Sequence, residues 1–516
     1  MWKNDFEFLF KIILFIFSLL NISCYIKLDI EKFSIDIQPH NNSNIINIIK
    51  NKLRHSMKTT IEIGIPPQKV DLFLLMNESL FIFIENNNNK YGQYNNIINS
   101  YISFNSNSFV SCSNSTFSNN TQSIMASAKD VISFDFYTFF NKKEKKICLL
   151  KKEFEFYINN SNNTNNISSN LIAVLGLGPN YIEEDNKNIH KIPSFISQLK
   201  KYGLISSYRW FINLGKDKNE IIFGLSPHEY DKNNFNENQL VSIPARPFKN
   251  RITHKMTFNW NFHISKMYLE SEINTNITIL DLTPEMSIDL DYNSEFIISI
   301  QKYWAYCTQN IFNEFINDKK CFINILDNIN NNTQHDKPKY LSIYCDNKYK
   351  DEIKKNFKDI KIECQECNYT FVLTFDDLMK SIKIINKDGK EETKLLFLVV
   401  FNDNTFSIPH YHRWVMGIPF LKKYQFFFEQ NSKMIYFYKK ENTIISNNEN
   451  NNNKKNIPLF NNDSYYQIII IIILILFNLF IFFLIYKTVK MMKYKQKEKI
   501  NKNKFEKDDY KELIEK

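Results

Sequence analysis

Between about residue 55 and residue 440 the chain is a succession of short apolar or alternating runs broken by polar loops. Thr59–Ile65, Val70–Leu75, Leu80–Ile84, Val131–Phe136, Trp210–Leu214 and Glu220–Phe223 are rich in β-branched and aromatic residues. Such runs predict strands, since successive strand side chains point to opposite faces and bury on one or both. Helical periodicity is scarce. Ser194–Tyr202 is its clearest case, with Ile192-Pro193-Ser194 as a start signal and Gly203 as a stop. Short strands recurring over this length predict an all-β fold of sandwich or barrel character.

The two ends follow a different pattern. Met1–Cys24 carries Lys3 and Lys11, then the apolar stretch IILFIFSLL, then Ser23. This predicts a secretory signal peptide over 1–24. Ile468–Tyr486 is apolar throughout except Asn478, long enough to cross a bilayer. Lys487, Lys490, Lys493 and Lys495 follow it directly. The positive-inside rule then predicts a transmembrane helix over 467–486, a basic cytoplasmic tail over 487–516 and a lumenal ectodomain. The chain is expected in the secretory pathway or at a cell-surface or organelle membrane, as a type I single-pass protein. Residues 25–55 are a candidate pro-segment. The Asn-rich 441–466 reads as a low-complexity stalk.

Composition modifies this picture in three places. Only 9 of 516 residues are glycine, so tight turns must use Asn or Asp or change shape. The net charge of +10 is partly the membrane-flanking tail, and no basic stripe with interleaved aromatics argues for nucleic acid. With Cys24 removed, Cys112, Cys148, Cys307, Cys321, Cys345, Cys364 and Cys367 remain, and an oxidising lumen would pair most of this odd set. Cys364-x-x-Cys367 raises zinc or redox chemistry. It has no second such pair and no histidine at ligand spacing, so neither a metal nor another cofactor is expected. Sequons at Asn114, Asn119, Asn276 and Asn368 suit a glycoprotein. His410, His412 and Arg413 lack a nucleophile pattern nearby and read as surface-loop residues.

Five segments in order resemble landmarks of the pepsin-like aspartic protease family, including its membrane-anchored plasmepsin-type members. They are Ile61-Glu-Ile-Gly-Ile-Pro-Pro-Gln68, Val174-Leu-Gly-Leu-Gly178, Pro193–Ser206, Glu220-Ile-Ile-Phe-Gly224, and Trp414-Val-Met-Gly-Ile-Pro-Phe-Leu-Lys-Lys-Tyr424 followed by Phe426–Tyr438. The resemblance implies a bilobed β-fold with lobes over 56–235 and 236–440. It also implies a cleft between them, an Asp-Thr/Ser-Gly loop in each lobe and a hairpin flap bearing a tyrosine.

Catalysis in that family needs two carboxylates about 3 Å apart that share a proton. Counting from Pro66-Pro67-Gln68, the first aspartate falls at Leu75, in Leu75-Met76-Asn77-Glu78-Ser79 where the family has Asp-Thr-Gly-Ser-Ser. The carboxylate, the hydroxyl and the turn glycine are all missing. Asp71 lies four residues back, about 13 Å away along a strand, and Glu78 is misplaced on the turn. In Ile277-Thr-Ile-Leu-Asp281-Leu282-Thr283-Pro284 the resemblance aligns Asp281 with the second catalytic aspartate. Asp289 and Asp291 are the weaker alternatives, because the apolar approach does not end at them. Asp130–Asp135 is similar to the flap's return strand, which puts the flap tyrosine position at Phe117 or Ser118 and the flap glycines at Asn119, Thr121 and Met125. Asn77, Thr283, Phe117 and Ser118 are thus expected at the cleft or flap. The favoured function is an inactive pseudoprotease that binds a peptide or protein in the cleft. The alternative is an active aspartic endopeptidase of the secretory pathway, and a third is an unrelated β-rich adhesin.

Overall fold

The apolar and alternating runs of the first half all become strands in a computed structural model of the chain. The structure describes residues 24–34, 55–76, 79–85, 105–118, 124–140, 143–160, 173–179, 192–215, 218–249, 256–270, 278–281, 287–326, 340–385, 389–402 and 413–440. These belong to one compact unit, 1–441. The segment 467–486 and the tail 487–516 lie outside the described residues. Among the described residues no helix is long and apolar enough to cross a membrane.

Strands β1 (Cys24–Ser34), β2 (His55–Ile63), β3 (Gln68–Leu75), β4 (Phe81–Glu85), β5 (Val110–Ser118), β6 (Ile124–Phe140), β7 (Lys143–Asn160) and β8 (Val174–Gly176) come first. Helix α1 (Phe195–Lys201) follows. The Ser194 side chain caps it by accepting from the Ser197 N–H at 3.2 Å, and Gly203 at φ 69° lets the chain turn away after it. Then come β9 (Arg209–Leu214), β10 (Asn219–Phe223), the short helix α2 (Pro227–Tyr230) and β11 (Leu240–Pro244).

The second half opens with β12 (Pro247–Lys249), β13 (Met256–Phe258), β14 (Asn261–His263), β15 (Lys266–Glu270), β16 (Thr278–Asp281), β17 (Ser287–Leu290) and β18 (Ile297–Ile300). A helical stretch runs from α3 (Gln301–Cys307) through a wider turn into α4 (Asn313–Asn317). Next are β19 (Cys321–Leu326), β20 (Tyr340–Asp346), α5 (Lys350–Asn356), β21 (Asp359–Cys364), β22 (Tyr369–Leu373) and α6 (Phe375–Leu378). The chain continues through β23 (Met379–Ile385), β24 (Glu391–Phe397), β25 (Val399–Asn402), β26 (Arg413–Met416), α7 (Ile418–Tyr424), β27 (Phe427–Glu429) and β28 (Met434–Tyr438).

The described fold is mostly β. A 13-stranded sheet holds β1 to β11 and, from the far end of the sequence, β27 and β28. A 9-stranded sheet holds β14, β17 to β20 and β23 to β26, while β16-β15-β21-β22 form a third sheet and β12-β13 a pair. Cys321 and Cys345 face each other across β19 and β20 and are joined by a disulfide.

β1 lies between β10 and β2, with Ile26 opposite Phe223 and Ile30 opposite Thr59. Tyr25, Ile26 and Ile30 are buried. The first residues of the candidate pro-segment 25–55 are therefore a core strand of the largest sheet, and Cys24, at the edge of the expected signal peptide, begins it.

Aromatic side chains fill the interior. In the first half Phe81, Phe83, Phe154, Phe156, Phe195 and Phe223 are all buried. Each buried ring contributes about 1.5–3 kcal/mol relative to exposure. Trp210 stacks on Phe428 at 4.6 Å, which packs the last strands against the first half.

Candidate functional site

The same strand crossing occurs twice. In the first half β8 runs parallel to β3 and antiparallel to β4, so it threads between two strands that are neighbours in sequence. Leu75, the last residue of β3, lies opposite Gly176. The Leu177 N–H donates to the Leu75 carbonyl and the Gly176 N–H to the Leu80 carbonyl, both at 2.7 Å.

In the second half β26 threads between β17 and β18 with the same polarities. Leu290 lies opposite Met416, and continuing the register by one residue puts Asp291 opposite Gly417. The Asp291 N–H donates to the Met416 carbonyl at 3.1 Å, and the Ile418 N–H to the Ser294 carbonyl at 2.8 Å. Gly417 is required by the close approach of the loop. A Cβ there would stand 2.2 Å from the Phe296 carbonyl oxygen and 2.3 Å from that of Ser294.

The two crossings therefore pair Leu75 with Asp291, and Leu75-Met76-Asn77 with Asp291-Tyr292-Asn293. They also touch. The Asn293 amide donates to the Leu74 carbonyl at 2.8 Å, and its oxygen accepts from the Met57 N–H at 3.0 Å. One side chain from the second half thus satisfies two backbone groups of the first. Buried Trp260 bridges them again: its indole N–H donates to the Leu177 carbonyl at 2.9 Å, and its carbonyl accepts from the Leu290 N–H at 2.9 Å.

Asp291 is partly buried, and burial pushes its carboxyl above the usual carboxylate range. Bonds from Asn293 oppose that shift, including the Asn293 N–H donating to Oδ1 at 2.9 Å. Tyr292, fully buried, is held up by desolvation. A carboxyl in this state can hold a proton and donate a hydrogen bond. Leu75, half-buried at the matching position, can neither give nor take one.

The expected site residues that the structure describes fall on different elements. Asp281 ends β16 opposite Lys266, in the sheet formed with β15 and β21, and not in the sheet that contains the second crossing. At the second crossing the aspartate that follows the register is Asp291. Phe117 and Ser118 end β5 opposite Met125 and Ile124, at the far end of the β5–β6 hairpin. Asn77, Thr283 and Glu78 lie outside the described residues. Asp71 is buried and committed elsewhere, with the Lys58 ammonium at 3.2 Å and the Thr60 hydroxyl donating at 2.6 Å. No family model and no curated protein matches the chain.

Asn293 and Trp260 were not anticipated from the sequence. Asn293 had a legible signal, since asparagine stands two residues after both Leu75 and Asp291.

Proposed function

We propose that this chain is a pepsin-like aspartic protease homologue that has lost peptidase chemistry and binds an extended peptide or protein segment between its two halves, from a single-pass membrane anchor. The observation that carries this is the repeated crossing with Leu75 in one copy and Asp291 in the other. Acid–base hydrolysis by facing carboxylates needs both. Removing one costs on the order of 10³-fold or more in rate. Binding does not need both: an extended peptide can be held through backbone hydrogen bonds and side-chain pockets, and a protonated Asp291 supplies a donor to a peptide carbonyl.

The test uses the full-length chain in detergent, a peptide library and pepstatin across acidic to neutral pH. The expected outcome is no turnover, with peptide binding weakened by Asp291→Ala. Pepstatin-sensitive cleavage that disappears in Asp291→Ala would overturn the reading in favour of an active endopeptidase.

A further inference from the structure

Cys364 is the last residue of β21 and Cys367 lies in the tight turn to β22. Asn368 in the left-handed region at φ 45° and its N–H donating to the Gln365 carbonyl at 3.2 Å shape that turn. The turn brings the two sulfurs together. Cys367 Sγ donates to the Cys364 carbonyl oxygen at 3.6 Å, and in this structure both thiols are free. Both side chains are buried, while Gln365, Glu366 and Asn368 around them are exposed. Among the described residues no group of three or more metal-ligating side chains includes them. Two juxtaposed thiols without a third ligand suit a covalent bond better than a metal.

We infer that Cys364 and Cys367 are a disulfide-forming pair that closes the β21–β22 turn. The oxidant is a small-molecule or protein disulfide of an oxidising compartment. One cysteine thiolate attacks it, forming a mixed disulfide and expelling one thiolate. The other cysteine sulfur then attacks the first and expels the second. Two protein thiols are oxidised, one external disulfide is reduced to two thiols, and the two protons end on those leaving groups.

The location gives the bond a consequence. Tyr369, directly after the turn, accepts from the Lys440 N–H at 3.2 Å and packs on Phe437 at 5.3 Å. Lys440 is the last described residue of the chain. A closed turn holds Tyr369 against the end of β28. This inference does not depend on the aspartic-site reading.

The experiment is alkylation of the full-length chain, made in a secretory host, under denaturing but non-reducing conditions, followed by digestion and mass spectrometry. The expected result is a Cys364–Cys367 peptide lighter by two hydrogens and unalkylated, which takes two alkyl groups only after reduction. Cys367→Ser should leave Cys364 open to alkylation while the Cys321–Cys345 link persists, and should lower Tm in oxidising buffer. Alkylation of both cysteines without reduction, or linkage of either to a different cysteine, would overturn the inference.

Discussion

The two crossings share their strand directions and register but differ in what they place at the meeting point. The first offers Leu75 and Met76, apolar and packed, so it closes as core. The second offers Asp291, whose carboxyl is held above its normal range by burial, and Asn293, which reaches across to the first. The same crossing is thus built once with an apolar side chain and once with a carboxyl at its meeting point. What the two share is a glycine opposite the key position and the backbone bonds around it, and at the second crossing Gly417 is sterically required. The carboxylate is separable.

That comparison can be broken most severely at Gly417. Gly417→Ala puts a methyl where carbonyl oxygens stand at 2.2 and 2.3 Å, so unfolding is expected at a cost above about 4 kcal/mol, read as lost soluble yield and lost cooperative melting. A normal melt would mean the second loop is looser than described. Next is the link between the halves. Asn293→Ala leaves the Leu74 carbonyl and Met57 N–H without their partner and should cost about 2 kcal/mol in denaturant unfolding. Asn293→Asp keeps the acceptor and should lose less.

Leu75→Asp makes the two crossings alike. The new carboxyl is half-buried beside a loop already bonded to the second crossing, so its charged form is disfavoured. Tm should stay near wild type in acid and fall as pH rises above the unfolded carboxyl pKa of about 4, and a pH-independent Tm difference would count against this. The smallest effect is expected from Asp291→Asn. Burial raises the folded pKa of Asp291 above its unfolded value. The resulting stability is present below the unfolded pKa and is lost as pH rises through the folded one. The variant should therefore melt above wild type at neutral pH, with the gap closing towards about pH 3. A gap that widens in acid would reverse the sign of the argument.

Much of the first half was legible because its signals are local. Val70–Leu75 and Glu220–Phe223 lie within β3 and β10, and Ser194 caps α1. Locality also explains the misses. Ile277–Asp281 reaches its aspartate through a nearly continuous apolar run, whereas Ser287–Asp291 alternates polar and apolar and so gave the weaker local signal. Only pairing with β26, more than a hundred residues later, selects the second as the crossing strand, and nothing in either stretch encodes that partner. β1 carried its own alternation, Ile26-Lys-Leu-Asp-Ile-Glu, but its position beside the expected signal peptide suggested a removable segment. The bilobed arrangement rests on the resemblance alone.

The largest sheet also sets a schedule. β9 pairs with β27, and β11 with β28, so strands made early complete their hydrogen bonding only with strands made last. At about 5–20 residues per second, roughly 200 intervening residues keep those edges waiting on the order of 10–40 s during synthesis. For that interval Trp210 waits for Phe428 and Phe211 for its strand partner Phe427, so part of their apolar surface stays open while the second half is made.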